Sequence, residues 1–563
     1  MDELALHSLS HETSVDLFTP EDFSDEDHLI SKTTELYVNQ EVVPQLQSLE
    51  QHNYGIARKL FEKAGELGLL GIEVPEACGG LSLNKKISGL VAEKMGYGGS
   101  FGVAFNIHAG VGTLPYVYFG TEEQKQKYLS KLSSGVWIGA YALTESNAGS
   151  DALNPKTSAV QNDEGTAWVL NGEKQWITNA HIADVYVVFA KTAKGMTAFI
   201  VERTFQGVSI GSEEKKMGIK GSSTATLILE DVLIPNENVL GEVGEGHHIA
   251  LNILNMARLK LAFANIGSAK QALQLSVKYA KERKQFKKPI ADFTIIQEKI
   301  ANMTTSIYGA ESATYRTAGV LDEVIQLADN GDNINKKIAN YAMECAINKV
   351  KCSEVLGRVV DEAVQIHGGY GYMEENEVER LYRDARISRI FEGTNEINRL
   401  TIAKSLLKKF RQSRFTTTDM TSETNSDRNG QYIQLSKQLL NQSLKAFSVS
   451  GLKVEKEQEL LRILADTMSD LYVMESSYLR TEKAKAKNGP EKEKIKQLMT
   501  NVLCEEGFRR VEKAVISFIS GIVSNEEDKK SLLNEVRHLH IPLYNNLFSY
   551  KREIAKEITD RAR

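Results

Sequence analysis

Cysteine is scarce: Cys78, Cys345, Cys352 and Cys504 are the 4 in 563 residues. They are scattered, with no CxxC or zinc-like spacing, so a disulfide framework and a zinc ribbon are excluded and reduced, non-catalytic thiols are expected. Proline is also sparse, at 9, which favours long helices over many short strands. Positive charge is absent from the start. No Lys or Arg precedes Lys32, while Asp2, Glu3, Glu12, Asp16 and the cluster from Glu21 to Asp27 are acidic. Secretory signals and arginine-rich transit peptides have the opposite character, so a soluble, cytoplasmic, bacterial-like protein is expected. The longest apolar runs, such as Val515 to Val523, are too short to span a bilayer. A net charge of −6 gives no reason to expect nucleic acid or an anionic membrane as the main partner. No GxGxxG follows a strand-like run, so a Rossmann fold is unsupported. No metal site is expected.

What is present begins with helix. The length accommodates roughly three or four domain-sized units. Residues 25–138 read as an α-helical domain in which Leu60, Phe61, Ala64 and Leu67 share one face. The period then changes, and residues 139–250 read as a β domain. Asn171-Gly172 between apolar runs predicts a hairpin there, with further strands at Val185 to Phe189, Met196 to Val201 and Ala225 to Leu229. Residues 251–410 return to long helical segments, Ile253 to Lys281, Ile295 to Leu327 and Asn333 to His367, as in a helix bundle. Residues 411–430 are polar and read as a linker. Residues 431–563 read as a separate helical extension without chemistry of their own.

Five stretches carry residues that a core does not require. In Arg386-Ile-Ser-Arg-Ile-Phe-Glu-Gly-Thr-Asn-Glu-Ile-Asn-Arg399, Glu392 sits at a glycine joint between two helices. Desolvation there would raise its pKa toward that of a general base; the alternative is an exposed loop carboxylate. Tyr141 to Asp151 is a strand giving way to a hydroxyl-rich glycine turn that suits a polar ring edge or a pyrophosphate, or is a plain surface loop. In Gln175 to Thr178, Trp176 could stack on an aromatic cofactor or belong to the core. Glu282 to Pro289 is a basic helix end, either phosphate-binding or solvated. In Gln365 to Gly371 a helix dissolves into glycines, more than a cap needs.

Taken in order, YALTESNAGSD, QWITNA, MGIKGSSTATLILEDVLIPNENVLG, ERKQFKKPI, QIHGGYGY and RIFEGTNEINR resemble the acyl-CoA dehydrogenase family over roughly residues 25 to 410. The extension resembles that of its very-long-chain branch. The resemblance implies a mainly α fold: an N-terminal α-helical domain, a middle antiparallel β domain, a C-terminal four-helix bundle and the extra helical domain. It implies FAD held by Tyr141, Leu143, Thr144, Gly149, Ser150, Trp176, Ile177 and Thr178. Arg283, Gln285 and Phe286, with Gln365, Ile366, His367, Gly368 and Gly369, would reach the FAD of a neighbouring subunit. Thr394, Asn395 and Glu396 would touch its adenosine half. Ser150, Asn255, Arg258 and Gly393 would line the acyl-CoA path. Thr294 and Asn255 depart from the frequent glutamine and aspartate, which implies altered contacts to FAD and to CoA at those two positions.

Some members place the base on the first bundle helix, where this chain has Ala257, so the resemblance implies Glu392 as catalytic base. The implied activity is α,β-dehydrogenation in fatty-acid β-oxidation, with electrons passed to an electron-transfer flavoprotein by a homodimer or homotetramer. An oxygen-using acyl-CoA oxidase and a non-catalytic scaffold are the alternatives. Peripheral membrane contact through the extension stays open, as does acyl chain length.

Overall fold

The computed structural model describes residues 17–326, 334–412, 427–450, 452–453, 456–539 and 545–561. Most of the expected linker, 413–426, lies outside them. The N-terminal helices are α1 (Asp25–Tyr37), α2 (Leu46–Glu50), α3 (Tyr54–Glu66), α4 (Lys85–Met95), α5 (Gly99–Ala109), α6 (Leu114–Phe119) and α7 (Glu122–Ser133). Capping boxes start α1 and α7: Ser24 with Asp27, and Thr121 with Gln124. In α3, Leu60, Phe61 and Ala64 are buried as their spacing predicts. Leu67 falls just past the helix end and is exposed.

The sheet strands are β1 (Gly139–Ala142), β2 (Ser158–Gln161), β3 (Ala167–Thr178), β4 (Val185–Thr192), β5 (Gly195–Glu202), β6 (Val208–Ile210), β7 (Thr224–Pro235) and β8 (Val239–Leu240). They run in the order β6-β7-β3-β2-β4-β5-β8. The pairings are antiparallel except along β4, which β1 and the start of β2 meet in parallel. The expected hairpin at Asn171-Gly172 is not formed. Those residues lie within β3, where the register to β7 shifts between Leu170 and Gly172. Asn171 and Asp231 bond to each other across that bulge, and Gly172 (φ 147°) lies so close to Thr157 that a Cβ would meet its Oγ1 at 2.5 Å. Glycine here serves a close backbone approach rather than a turn. The chain reverses instead between β2 and β3 near Gly165, where the Asn162 side-chain oxygen accepts the Thr166 and Ala167 N–H groups.

The bundle comprises α8 (Gly246–Glu282), the short hairpin of β9 (Lys284–Gln285) and β10 (Lys288–Pro289), α9 (Thr294–Gln326), α10 (Ile334–Ala339), α11 (Ala342–His367), α12 (Glu377–Ala385) and α13 (Asn395–Arg411). The expected helix from Asn333 to His367 is two, separated at Asn340-Tyr341. Among the described residues α8 is the one helix long and apolar enough to cross a membrane, yet 67% of that window is buried inside the protein. It is the bundle's central core helix.

The extension holds α14 (Arg428–Val449), α15 (Gln458–Asn488), α16 (Lys494–Ile522), α17 (Glu526–His538) and α18 (Leu547–Arg561). It packs directly against the bundle. Leu461, Leu464, Met468 and Val515 share one hydrophobic cluster with Ala346, Val350, Ile402 and Leu406 of the bundle. Ion pairs reinforce the seam: Arg316–Glu475 at 2.9 Å, Arg399–Asp466 at 2.7 Å and Arg480–Glu311 at 2.6 Å.

Candidate active site

Between the last turn before Ile390 and α13, the chain passes through two consecutive left-handed residues, Glu392 (φ 56°) and Gly393 (φ 81°). A glutamate holds that conformation only where its surroundings fix it. Three side chains do so through the backbone. Arg258 Nε donates to the Glu392 carbonyl at 3.2 Å, and Lys349 Nζ to the Gly393 carbonyl at 2.8 Å. Asn398 Nδ2 donates to the Gly393 and Thr394 carbonyls at 2.8 and 3.0 Å. Thr394 Oγ1 accepts the Ile397 N–H at 3.3 Å and caps α13.

The Glu392 carboxyl is left in a desolvated corner. Burial pushes its pKa up to about 7, against the opposing charges of Arg258 and Lys349. Burial also lowers Lys349, to about 7, while Glu392 raises it and Arg258 lowers it further. Among the described residues neither cation forms a salt bridge to that carboxylate. Their N–H groups go to carbonyl and amide oxygens. Tyr141 stands close enough for the Glu392 charge to act on it, and its hydroxyl is buried without a hydrogen-bond partner among the described residues. Glu392 and Ala257 line one cavity of about 80 Å³ between α4, α5, α8 and α12.

Two neighbouring segments are locked together. Lys174 and Glu145, both buried, pair at 2.6 Å, and Glu145 also accepts the Lys156 and Thr157 N–H groups at 2.6 and 3.1 Å. The Gln175 N–H donates to the Thr144 carbonyl at 2.8 Å. This holds the turn after β1 against the bulge in β3. At that bulge Trp176 is left-handed (φ 58°) and 57% exposed, which presents its indole outward. Ile177 and Leu143 turn inward and are buried, so they offer backbone rather than side chain. Thr178 is half-buried, while Gly149 and Ser150 are exposed.

The second group of expected residues lines a separate, open groove of about 440 Å³ containing Arg283, Gln285, Ile366, His367, Gly368 and Gly369. His367 stacks on Tyr279 at 4.3 Å, and its Nδ1 lies 2.7 Å from the Ala363 carbonyl. A Cβ at Gly368 or Gly369 would meet nothing within 4 Å, which leaves backbone open to a ligand. Phe286, in the left-handed turn between β9 and β10, is 89% exposed. Gln365 is exposed too.

Two of the expected residues have their side chains bonded within the protein. The Asn395 side chain is buried and bonded to Lys349, Ser353 and Glu354, so that amide faces the protein interior while Glu396 is exposed. Asn255 is buried as well, and its Oδ1 accepts from Arg258 at 2.9 Å, which steers the guanidinium. Sequence reasoning missed Lys349 and the Lys174–Glu145 pair. A lysine inside an otherwise buried helical face was the available signal. It also missed the exposed grouping of Glu245, His247 and His248, whose ligand atoms lie within 4.8 Å of one another.

Models of the acyl-CoA dehydrogenase family match the chain in four segments: the N-terminal domain at 24–136, the middle domain at 140–232, and two C-terminal domains at 244–407 and 436–538. A probable acyl-CoA dehydrogenase of Bacillus subtilis is 47% identical over 96% of this chain and 95% of its own. The human mitochondrial very long-chain specific acyl-CoA dehydrogenase is 42% identical over 60% of this chain and 51% of its own length. The crystal structure of a Bacillus anthracis acyl-CoA dehydrogenase complexed with FAD superimposes with a TM-score of 0.95 at 46% identity, covering 100% of this chain and 99% of that one.

Proposed function

The chain belongs to the acyl-CoA dehydrogenase family, and on that premise we propose that it is an FAD-dependent enzyme converting acyl-CoA to trans-2-enoyl-CoA. One observation carries the reading: Glu392 is held by its backbone at a cavity wall with its pKa raised to about 7. A thioester α-proton is weakly acidic. A base is most effective when its pKa lies near the working pH. Glu392 accepts that proton. Its own N–H makes no hydrogen bond among the described residues and is available to the thioester carbonyl, where it would stabilise developing enolate charge. Arg258, Lys349 and Asn398 keep the loop from relaxing as the proton moves.

The residues present suit FAD. The outward indole of Trp176, the partly buried Thr178, the unpartnered Tyr141 hydroxyl and the open backbone at Gly149 are what a flavin and its polar edges require. When bound, FAD supplies the acceptor for the β-hydrogen as hydride. Arg283, Gln285, Phe286 and the Gln365 to Gly369 turn lie in a groove apart from Glu392, as a contribution to a second subunit's FAD requires, so a homodimer or dimer of dimers is the working assembly. Electrons then leave to an electron-transfer flavoprotein, and the reaction is the first step of fatty-acid β-oxidation in the cytoplasm. The test is anaerobic bleaching of the bound flavin by a ladder of saturated acyl-CoA lengths. Absence of bleaching at every length would refute the activity, and rapid oxygen consumption with substrate alone would reassign it to an oxidase.

A further inference from the structure

We propose that the cavity beside Glu392 is built for an acyl chain bearing a hydroxyl group, held by Asn106, Asn265 and Asp384; this rests on the acyl-CoA dehydrogenase reading above. The three residues come from different helices, α5, α8 and α12, and all line that cavity. Each brings a buried polar atom without a hydrogen-bond partner: Asn106 Nδ2 and Oδ1, Asn265 Nδ2, and Asp384 Oδ2.

The orphaned atoms are the free ends of groups otherwise anchored. Asn265 is 3% exposed, and its Oδ1 accepts from Ser388 Oγ at 3.0 Å, which leaves Nδ2 as the unused end. Asp384 Oδ1 accepts the Ile219 N–H, which leaves Oδ2. A buried polar atom left unpaired is costly. The wall of a site for plain hydrocarbon has no use for several of them. Their kinds specify the ligand. Asn106 and Asn265 offer N–H donors, while Asn106 and Asp384 offer acceptor oxygens. A methylene satisfies neither kind, and a ketone accepts but cannot donate. A hydroxyl does both. Water has the same complement and is the rival occupant, but an alkyl chain entering this narrow cavity must displace it and return nothing.

The test uses the FAD-loaded full-length enzyme with an artificial electron acceptor. Three acyl-CoA series of matched length are compared: saturated, and bearing one hydroxyl or one oxo group at successive carbons beyond Cβ. At one position the hydroxylated chain should exceed the saturated one in kcat/KM by at least ~10-fold, since a site built to bond a hydroxyl rejects the analogue lacking it. The oxo chain should lag behind. Asn106→Leu and Asn265→Leu should bring that ratio near unity by improving the use of saturated chains. Asn265→Ser replaces the leucine variant if the latter loses its flavin. Saturated chains matching or beating every hydroxylated one would overturn the proposal and leave water as the partner. Equal use of oxo and hydroxyl chains would overturn the hydroxyl assignment. If no acyl-CoA of any series bleaches the flavin, the activity itself fails. Equilibrium dialysis of the hydroxylated against the saturated chain then decides the subsite alone.

Discussion

Glu392 and Glu311 are both carboxylates removed from water, each with two cations close by, yet they titrate at opposite ends of the carboxylate range. Burial pushes Glu311 up, but Lys270 and Arg480 overcome it and hold the group at about 2. Both cations bond the carboxylate directly, Arg480 at 2.6 Å. At Glu392 burial prevails, and the group rises to about 7 although Arg258 and Lys349 oppose it. The difference lies in where the N–H groups point. At the extension seam they point at the carboxylate; at Glu392 they point at the carbonyls of its loop. Directing them to the backbone fixes the position of Glu392 without neutralising its basicity.

That contrast can be broken at either end. Glu392→Gln should keep its FAD and lose kcat/KM by about 10²–10⁴-fold, the range for a lost general base. Steady-state kinetics on flavin-replete protein measures it, and near-normal turnover would remove Glu392 from the chemistry. Glu311→Gln should do the reverse. Breaking a buried ion pair leaves charge uncompensated and should cost about 3–5 kcal/mol in urea unfolding. Turnover per mole of folded enzyme should be unchanged.

The third effect is smaller and depends on pH. In the folded protein Glu392 retains a proton that the unfolded chain has released above about 4.5. The native state therefore binds more protons between pH 4.5 and 7. Stability falls as pH rises through that window, and the deficit persists above it. Glu392→Gln should thus be no more stable than the parent near pH 4, and more stable by about 1–3 kcal/mol at pH 8. An equal difference at both pH values would contradict the raised pKa. Lys349→Met should be the mildest change. It removes one of the two charges that lower Glu392, so the acidic limb of the kcat/KM profile should move upward by about one pH unit. A limb that stays put, or moves down, would mean that Lys349 acts on the loop alone.

The long amphipathic periods and the order of the glycine-rich motifs made the three-layer succession of helices, sheet and helices legible from sequence. The same motifs pointed to Glu392, because a glycine joint between two helical patterns is visible in one dimension. What was hidden depended on partners distant along the chain. Asn171-Gly172 carries the local chemistry of a hairpin, but Thr157 and Asp231 across the sheet make it a bulge. The role of Lys349 is set by carbonyls 44 residues away, beyond the reach of periodicity. Asn395 and Asn255 could be assigned to the site but not to the side of the loop they face. At the outer boundary the leucines on α15 and α16 show that a face is buried without showing against what.

That boundary has a consequence for how the molecule comes apart. The family models divide the chain between residues 407 and 436, but its side chains do not. Ala346, Val350, Ile402 and Leu406 lie in one continuous cluster with Leu461, Leu464, Met468 and Val515. Neither half can open without exposing the other, so bundle and extension should lose structure in a single cooperative event. A shorter chain ending after α13 would leave those four bundle positions to be covered by another surface or replaced by polar residues.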